Sequence, residues 1–509
     1  MGGSIKLLSL QSYCYLILAS TALLGCAVGP DFQSPEPPKI TSYTMTPLPQ
    51  QTVEVTGQED KTQKFLFTDR IRNQWWTLFE CEPLSQLIRQ GLENSPTLQA
   101  AQASLRQAEE NLKGGIGGFF PSVDAQFSAA RQKKSAVGSG LNASFPPFNL
   151  YNTSLNVSYS PDIFGALRRQ VEALEAQVDF QRFELEAAYL TLTSNIVTTA
   201  IREASLRAQI EATQDLIAFQ EKQLQIMKQQ LELGGAAETD ILAQEVLVGQ
   251  TRSALPPLES ALAQTRHALA ALVGSLPSEA NLPYFQLEDI HLPTELPITL
   301  PSSLVQNRPD IKAAEALLHQ ANAQIGVAKA NMFPQLMLTG NLGGAAGQAH
   351  NLFASSSNVW TIASQLLQPI FRGGAMIAKE NASIAAYEQA FASYRQTVLQ
   401  SFQQVADVLQ ALVKDAKAYK ALQTAEKAAY QSLEISRKQY QLGSVSFLTL
   451  LNAEHQYQQT RIGRIKAEAT RYTDTAALFQ ALGGDCFALR MQEAQGMDQE
   501  TGYAKESES

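Results

Sequence analysis

The sequence predicts a mainly α-helical chain that also carries short membrane-type β-strands and is built as two copies of one unit. Three observations predict it: an internal repeat, two runs of 68 residues without glycine or proline, and segments of two-residue alternation with one wholly polar face. A fixed self-similarity of this kind sets the architecture before any single residue is weighed.

The repeat is visible by eye. Residues 95–121 align without a gap on residues 308–334, a shift of 213, with nine of 27 positions identical, among them Pro96 with Pro309, Leu105 with Leu318, Phe120 with Phe333 and Pro121 with Pro334. At a shift of 209, Leu233, Gly234, Leu242, Glu245, Gln250, Thr251 and Arg252 recur as Leu442, Gly443, Leu451, Glu454, Gln459, Thr460 and Arg461, and Gly274 recurs as Gly483. Each copy reads as helix, strand pair, very long helix, turn, helix.

The first copy occupies 83–290, with strands near 122–131 and 151–160, a long helix over 165–233 and a return helix over 238–273. The second occupies 291–484, with strands near 335–343 and 358–367, a long helix over 374–442 and a return helix over 446–482. The runs Ala166–Leu233 and Ala375–Leu442 are rich in Ala, Leu, Gln and Glu, the strong helix formers. At 1.5 Å per residue each helix reaches about 100 Å, and unbroken patterns of that length indicate coiled coil. Shorter helices over 83–113 and 301–331 complete the set, and Pro256 with Pro257 should kink the first return helix.

In YNTSLNVSYS, residues 151–160, Tyr151, Thr153, Leu155, Val157 and Tyr159 share one face while Asn152, Ser154, Asn156, Ser158 and Ser160 share the other. Alternation with one polar face is what a strand between lipid and water requires. Residues 122–130 repeat it, with Val123, Phe127 and Ala129 opposite Asp124, Gln126 and Ser128, and 335–343 and 358–367 are their counterparts. Phe127, Leu155, Val157, Leu336 and Trp360 should face lipid or an interface, and Gln126, Asn156 and Ser158 should line water. The connections 131–150 and 344–357, rich in Gly, Ser, Asn and Pro, should lie outside the cell. Four strands cannot close a barrel, whose smallest membrane form has about eight, and open edges are not tolerated in lipid. Several chains must therefore share one barrel.

The N-terminus reads as an export leader. Residues 1–25 hold one early charge, Lys6, an apolar centre and Gly25 just before Cys26. The apolar run is shorter than the roughly 20 residues of a spanning helix. Leu23 and Gly25 flank Cys26 as a lipoprotein processing site requires, so Cys26 should become the acylated first residue, and Ala27 after it resembles lipoproteins sent to the outer membrane. Residues 26–82 read as a lipidated linker, and 485–509 as a polar tail.

The net charge of −9 becomes −10 once the leader and Lys6 are removed, which argues against a nucleic-acid binder. Cys81 and Cys486 then remain, and whether they pair is open, because two cysteines do not make a disulfide framework. His267, His291, His319, His350 and His455 are scattered, with no metal-binding spacing, phosphate loop or nucleophile elbow. The expectation is a protein that is not an enzyme and carries no cofactor and no metal.

The elements CAVGPDF at the lipid site, residues 75–101, the two FP turns into strands, PIFRGG at 369–374 and residues 255–274 together resemble the outer membrane efflux protein family, the TolC-like channels, and its NodT-like lipoprotein branch. The resemblance implies a homotrimer with a 12-stranded barrel in the outer membrane and a 12-helix tunnel across the periplasm. It implies a passive exit duct served by a periplasmic adaptor and an inner-membrane pump of the resistance-nodulation-division type. A type I secretion component, an adaptor or a structural coiled-coil lipoprotein are the alternatives.

Each long helix ends at a glycine turn, LELGGAAETD and YQLGSVSF, where a left-handed residue favours glycine. By the resemblance, Gly234, Gly235, Gly443 and Ser444 form the periplasmic tip that docks the adaptor. Glu238 and Asp240 either cap the following helix and complement its dipole or narrow the pore, and a net-acidic lumen would favour cations. The second copy has Val445 and Ser446 where some family members place an aspartate.

Overall fold

The computed structural model describes residues 27–40, 42–54, 62–68, 74–133, 146–235 and 237–484. Cys26, the leader before it, and the tail with Cys486 lie outside the described residues. In the first copy the order is β1 (Lys64–Phe67), α1 (Glu82–Asn94), α2 (Pro96–Gly117), β2 (Ser122–Gln132), β3 (Phe148–Tyr159), α3 (Ala166–Glu232) and α4 (Glu238–Leu272). The second has β4 (Glu295–Ile298), α5 (Pro301–Asn307), α6 (Pro309–Ala330), β5 (Gln335–Ala346), β6 (Asn358–Leu367), α7 (Ala375–Gln441) and α8 (Phe447–Ala481).

The copies match in length. The long helices α3 and α7 have 67 residues each, the return helices α4 and α8 have 35 each, and α2 and α6 have 22 each. The fall in shift from 213 to 209 is taken up mostly between the strands of each pair, where 133–147 faces the shorter 347–357.

One expectation about helices is corrected. The helices expected over 83–113 and 301–331 are each divided, between Asn94 and Pro96 and between Asn307 and Pro309. The residues at the break, Ser95 and Arg308, are extended, with ψ of 120° and 124°, because a following proline ring disfavours the helical region at the preceding residue. Pro256 and Pro257 lie inside α4, which stays helical from Glu238 to Leu272. The carbonyls that lose their donors there belong to the exposed Arg252 and Ser253, where water can bond them.

The four long strands form one antiparallel sheet in the order β2-β3-β5-β6. The strands extend past their expected ends, to Gln132 and Ala346 and back to Phe148, so the connections are shorter than 131–150 and 344–357. The copies join at β3 and β5, which pair from Tyr151 with Ala346 to Tyr159 with Leu338. A parallel ribbon of β1 and β4, Lys64 opposite Glu295 through Phe67 opposite Ile298, was not foreseen. Its strands are four residues long, too short to show alternation.

The chain forms two compact units. One holds the four-stranded sheet, with residues 104–181, 314–394 and the N-terminal segment to Pro35; the other holds 36–103, 182–313 and the chain from Arg395. The second unit carries the larger core, in which Trp75, Phe79, Leu84, Ile88, Ile196, Leu269, Phe285, Leu409 and Phe479 are buried together. Within it α1 buries Leu84, Leu87, Ile88 and Gly91, the spacing of one helical stripe, and Trp75 stacks on Phe479 at 5.1 Å. Cys81 in this core is a free, buried thiol. Each fully buried large apolar side chain contributes about 1.5 to 3 kcal/mol.

Candidate functional site

The sheet separates its side chains as the alternation predicts. Directly opposed pairs put Val123 beside Val157, Ala125 beside Leu155, Leu155 beside Leu342 and Leu342 beside Trp360, so one face is an apolar lane crossing all four strands. Leu336, opposite Leu366, lies on the same face. These side chains are exposed: Phe127 is 66% and Trp360 69% accessible, too much apolar surface for a face that meets water.

The other face is polar over its central rows. Asp124, Asn156, Asn341 and Thr361 lie in one row, with the Asn341 amide donating to Asn156. In the next rows the Ser122 and Ser158 hydroxyls share a hydrogen bond at 2.8 Å, and the Asn152 amide donates to Ser128 at 3.4 Å. Gln126 stands opposite Ser154 on this face. Strands β2 and β6 have no strand partner on their outer edges among the described residues.

The chain just after Cys26 is strapped to the sheet-bearing unit. The Val28 N–H donates to the Phe164 carbonyl at 3.1 Å, and the Asn322 amide donates to the Pro30 carbonyl at 3.0 Å. Arg169, whose side chain is buried, reaches Asp31 at 2.6 Å and Glu172 at 2.7 Å. The Phe32 ring stacks on His319 at 4.3 Å. At Gly29 the backbone has φ of 115°, and a Cβ there would stand 2.5 Å from the Gly326 Cα, so the close approach of strap and α6 requires glycine at position 29. Composition gave no sign of this anchoring; the only trace is the VGPDF stretch itself.

The two glycine turns that end the long helices have the same hydrogen bonds. Gly234 donates to the Leu231 carbonyl at 2.9 Å and Gly235 to Gln230 at 2.7 Å, while Gly443 donates to Tyr440 and Ser444 to Gln439, both at 2.9 Å. With φ of 75° at Gly234 and 71° at Gly443, both are Schellman ends that satisfy the last carbonyls of α3 and α7. The expectation that Glu238 or Asp240 caps α4 is corrected. The capping position is Ala237, which has no side-chain bond, so the two acids at the first and third helical positions complement the helix dipole without capping it. In the second copy Ser446 is the cap, its hydroxyl accepting from the Thr449 N–H at 3.4 Å.

Glu238 is exposed and Asp240 half-buried. The Tyr440 hydroxyl is raised in pKa by burial first and by the Asp240 charge of the other hairpin second. Both hairpins also share an apolar cluster of Met227, Ile241, Leu433, Phe447 and Leu450. Leu233 and Leu442, the repeat-related residues before the turn glycines, are 87% and 83% exposed. Among the described residues no group of three or more His, Cys, Asp or Glu is placed to hold a metal ion, and no helix is long and apolar enough to cross a membrane.

Comparison with known proteins fits this arrangement. The family model described as outer membrane efflux protein matches residues 87–275 and 300–484, one stretch per repeat. The toluene efflux pump outer membrane protein TtgC of Pseudomonas putida is 28% identical over 494 residues, covering 96% of this chain and 98% of the relative. The cation efflux system protein CusC of Escherichia coli is 27% identical over 482 residues, covering 93% of this chain and all of the relative. Among solved structures, the outer-membrane channel OprN superposes with a TM-score of 0.80 at 26% identity, over 90% of this chain and 99% of that one. The CmeC outer membrane channel of Campylobacter jejuni, at 21% identity, shares the fold with a TM-score of 0.83 over 92% of this chain and 98% of that one. A mainly α fold with a strand pair in each repeat, one apolar strand face and relatives matched from end to end lead to one conclusion: this chain belongs to the outer membrane efflux protein family and is an outer-membrane protein.

Proposed function

We propose that three copies of this chain assemble into the exit duct of a tripartite efflux system. The observation that carries the proposal is the four-stranded sheet, with one apolar exposed face, a second face polar over its central rows and, among the described residues, two unpaired edges. Such a sheet is stable in a bilayer only when its edges close on further copies, and three copies give twelve strands around a polar lumen. The helices that leave β3 and β6 run for 67 residues, long enough to continue a duct into the periplasm. Transport through such a duct is passive, with energy supplied by an inner-membrane pump of the resistance-nodulation-division type through a periplasmic adaptor.

In this reading Cys26 is acylated, and the strap that follows it holds the anchor against the sheet-bearing unit. Gly234, Gly235, Gly443 and Ser444 form the end that docks the adaptor, with the exposed Leu233 and Leu442 as its apolar contacts. Relatives named for toluene and for cation efflux are 28% and 27% identical to this chain, so the proposal assigns substrate choice to the pump. Asp240 is the candidate for narrowing the pore.

The test is conductance of the purified full-length protein in planar bilayers, together with gel migration before and after heating. Stepwise channels from a heat-dissociated trimer are expected. A folded protein that inserts and conducts nothing, or that fractionates as a monomer, overturns the proposal.

A further inference from the structure

The repeat supplies an internal comparison for the ion pair between a long helix and its return helix, and the second copy departs from the first there. In the first hairpin Lys228 of α3 and Glu245 of α4 form an ion pair at 2.8 Å. A shift of 209 places Arg437 of α7 and Glu454 of α8 at the same positions, yet these two are not bonded. Arg437 instead reaches Glu434 at 2.5 Å and lies over the Phe219 ring of α3, 4.3 Å from its centroid. Glu434 stands where the first copy has Gln225, so the second copy has acquired a competitor for its cation.

Glu454 is left 2% exposed, with its Oε1 buried and without a hydrogen-bond partner, as is the Arg437 Nε. It lies one helical turn beyond Leu450 on the same face of α8, and Leu450 belongs to the apolar cluster that unites the two hairpins. Several other charges of these helices are engaged elsewhere. Glu221 of α3 holds Arg252, Asp215 of α3 holds Arg461, Lys228 holds Glu245, and Asp240 of α4 faces Tyr440.

We propose that Glu454 is a proton-operated latch between the two helical hairpins, closed while its carboxyl carries a proton and loosened when that proton leaves to water. A carboxylate without a partner in an apolar seam is costly. It can be relieved in two ways: Arg437 leaves Glu434 and Phe219 to pair with it, or water enters between the hairpins. Either way a contact that joins α7 to α3 is given up. Burial pushes the Glu454 carboxyl up to about 7 from 4.5, against the opposing pull of the Arg437 charge. The packed form therefore holds the extra proton: its stability is full below about pH 4.5, falls as pH rises toward about 7, and is flat above. That loosening would widen a duct rests on the channel reading; the packing itself can be tested without it.

The test is amide hydrogen exchange of residues 433–457 in the full-length protein at about pH 5 and about pH 8, with rates corrected for intrinsic pH dependence. The wild type is expected to lose protection by about tenfold or more, the equivalent of one unit of pKa. Glu454→Gln should show no such loss, and Glu245→Gln, which removes the surface pair, should lose as much as the wild type. Glu434→Gln frees Arg437 and should shrink the loss to less than half. A wild type with equal protection at both values, or a Glu454→Gln protein that still loses it, overturns the proposal. Should Glu454→Gln fail to fold, an undiminished loss in Glu434→Gln does so instead.

Discussion

Arg169 donates to Asp31 at 2.6 Å, joining a buried side chain of the first long helix to an exposed carboxylate five residues after Cys26. The asymmetry of that pair decides which partner matters. Because Asp31 is 89% exposed, Asp31→Asn should cost less than about 1 kcal/mol. Gly29→Val, which forces a left-handed residue with a Cβ into the Gly326 backbone, should release the strap. Limited proteolysis within residues 27–40 is expected to be accelerated in Gly29→Val and near wild type in Asp31→Asn. Cys26→Ala should leave the precursor unprocessed, seen as its unchanged mass.

The two faces of the sheet should differ in their tolerance of charge. Val157→Arg on the apolar lane should destabilise the inserted protein by about 2 to 4 kcal/mol, seen as dissociation at lower temperature. Ser158→Arg, on the polar face beside Ser122, should assemble normally and change conductance. Equal behaviour of the two would reverse the assignment of faces.

At the tips, a Cβ on Gly234 or Gly443 meets nothing within 4 Å, so the strain of substitution comes from φ alone. Gly234→Val and Gly443→Val should each cost about 1 to 2 kcal/mol at the helix end and leave the trimer intact. Cross-linking to the adaptor and efflux should both fall. Wild-type cross-linking in either variant places the docking surface elsewhere.

Asp474 of α8 gives a second pH dependence. Burial first, then a hydrogen bond with Asp415 of α7 and its charge, push the Asp474 carboxyl up to about 7 from 3.8. The folded state therefore binds the proton more tightly than the unfolded chain. The stability associated with it is full below about pH 4 and is lost as pH rises toward about 7. Asp474→Asn should raise the melting temperature at about pH 8 and change it little at about pH 4, as read by circular dichroism.

Much of this architecture is legible in the chain because its signals are long. Sixty-eight residues without a breaker leave little alternative to helix, and the apolar lane through Val157, Leu155, Leu342 and Trp360 follows from period two. Local backbone rules were harder to see. Ser95 and Arg308 sit inside helix-forming stretches, and only the proline after each divides them. The strap was hidden because its contacts join residues far apart, as with Asp31 and Arg169. Glu454 was visible only as a residue identical in both copies, and that identity concealed its difference. The substitution of Glu434 for Gln225, one turn away from Arg437, removes its partner.

The equal lengths of the paired helices, 67 with 67 and 35 with 35, make each copy a gauge for the other. A residue inserted into α3 alone advances every later side chain by about 1.5 Å and about 100° of rotation, so Met227 and Ile241 would meet the wrong partners on α7 and α8. Length can therefore change in the helices only in both copies at once. The connections between strands carry no such obligation, and residues 133–147 already exceed 347–357. Inherited variation in size, and any epitope engineered into this protein, belongs in those two connections.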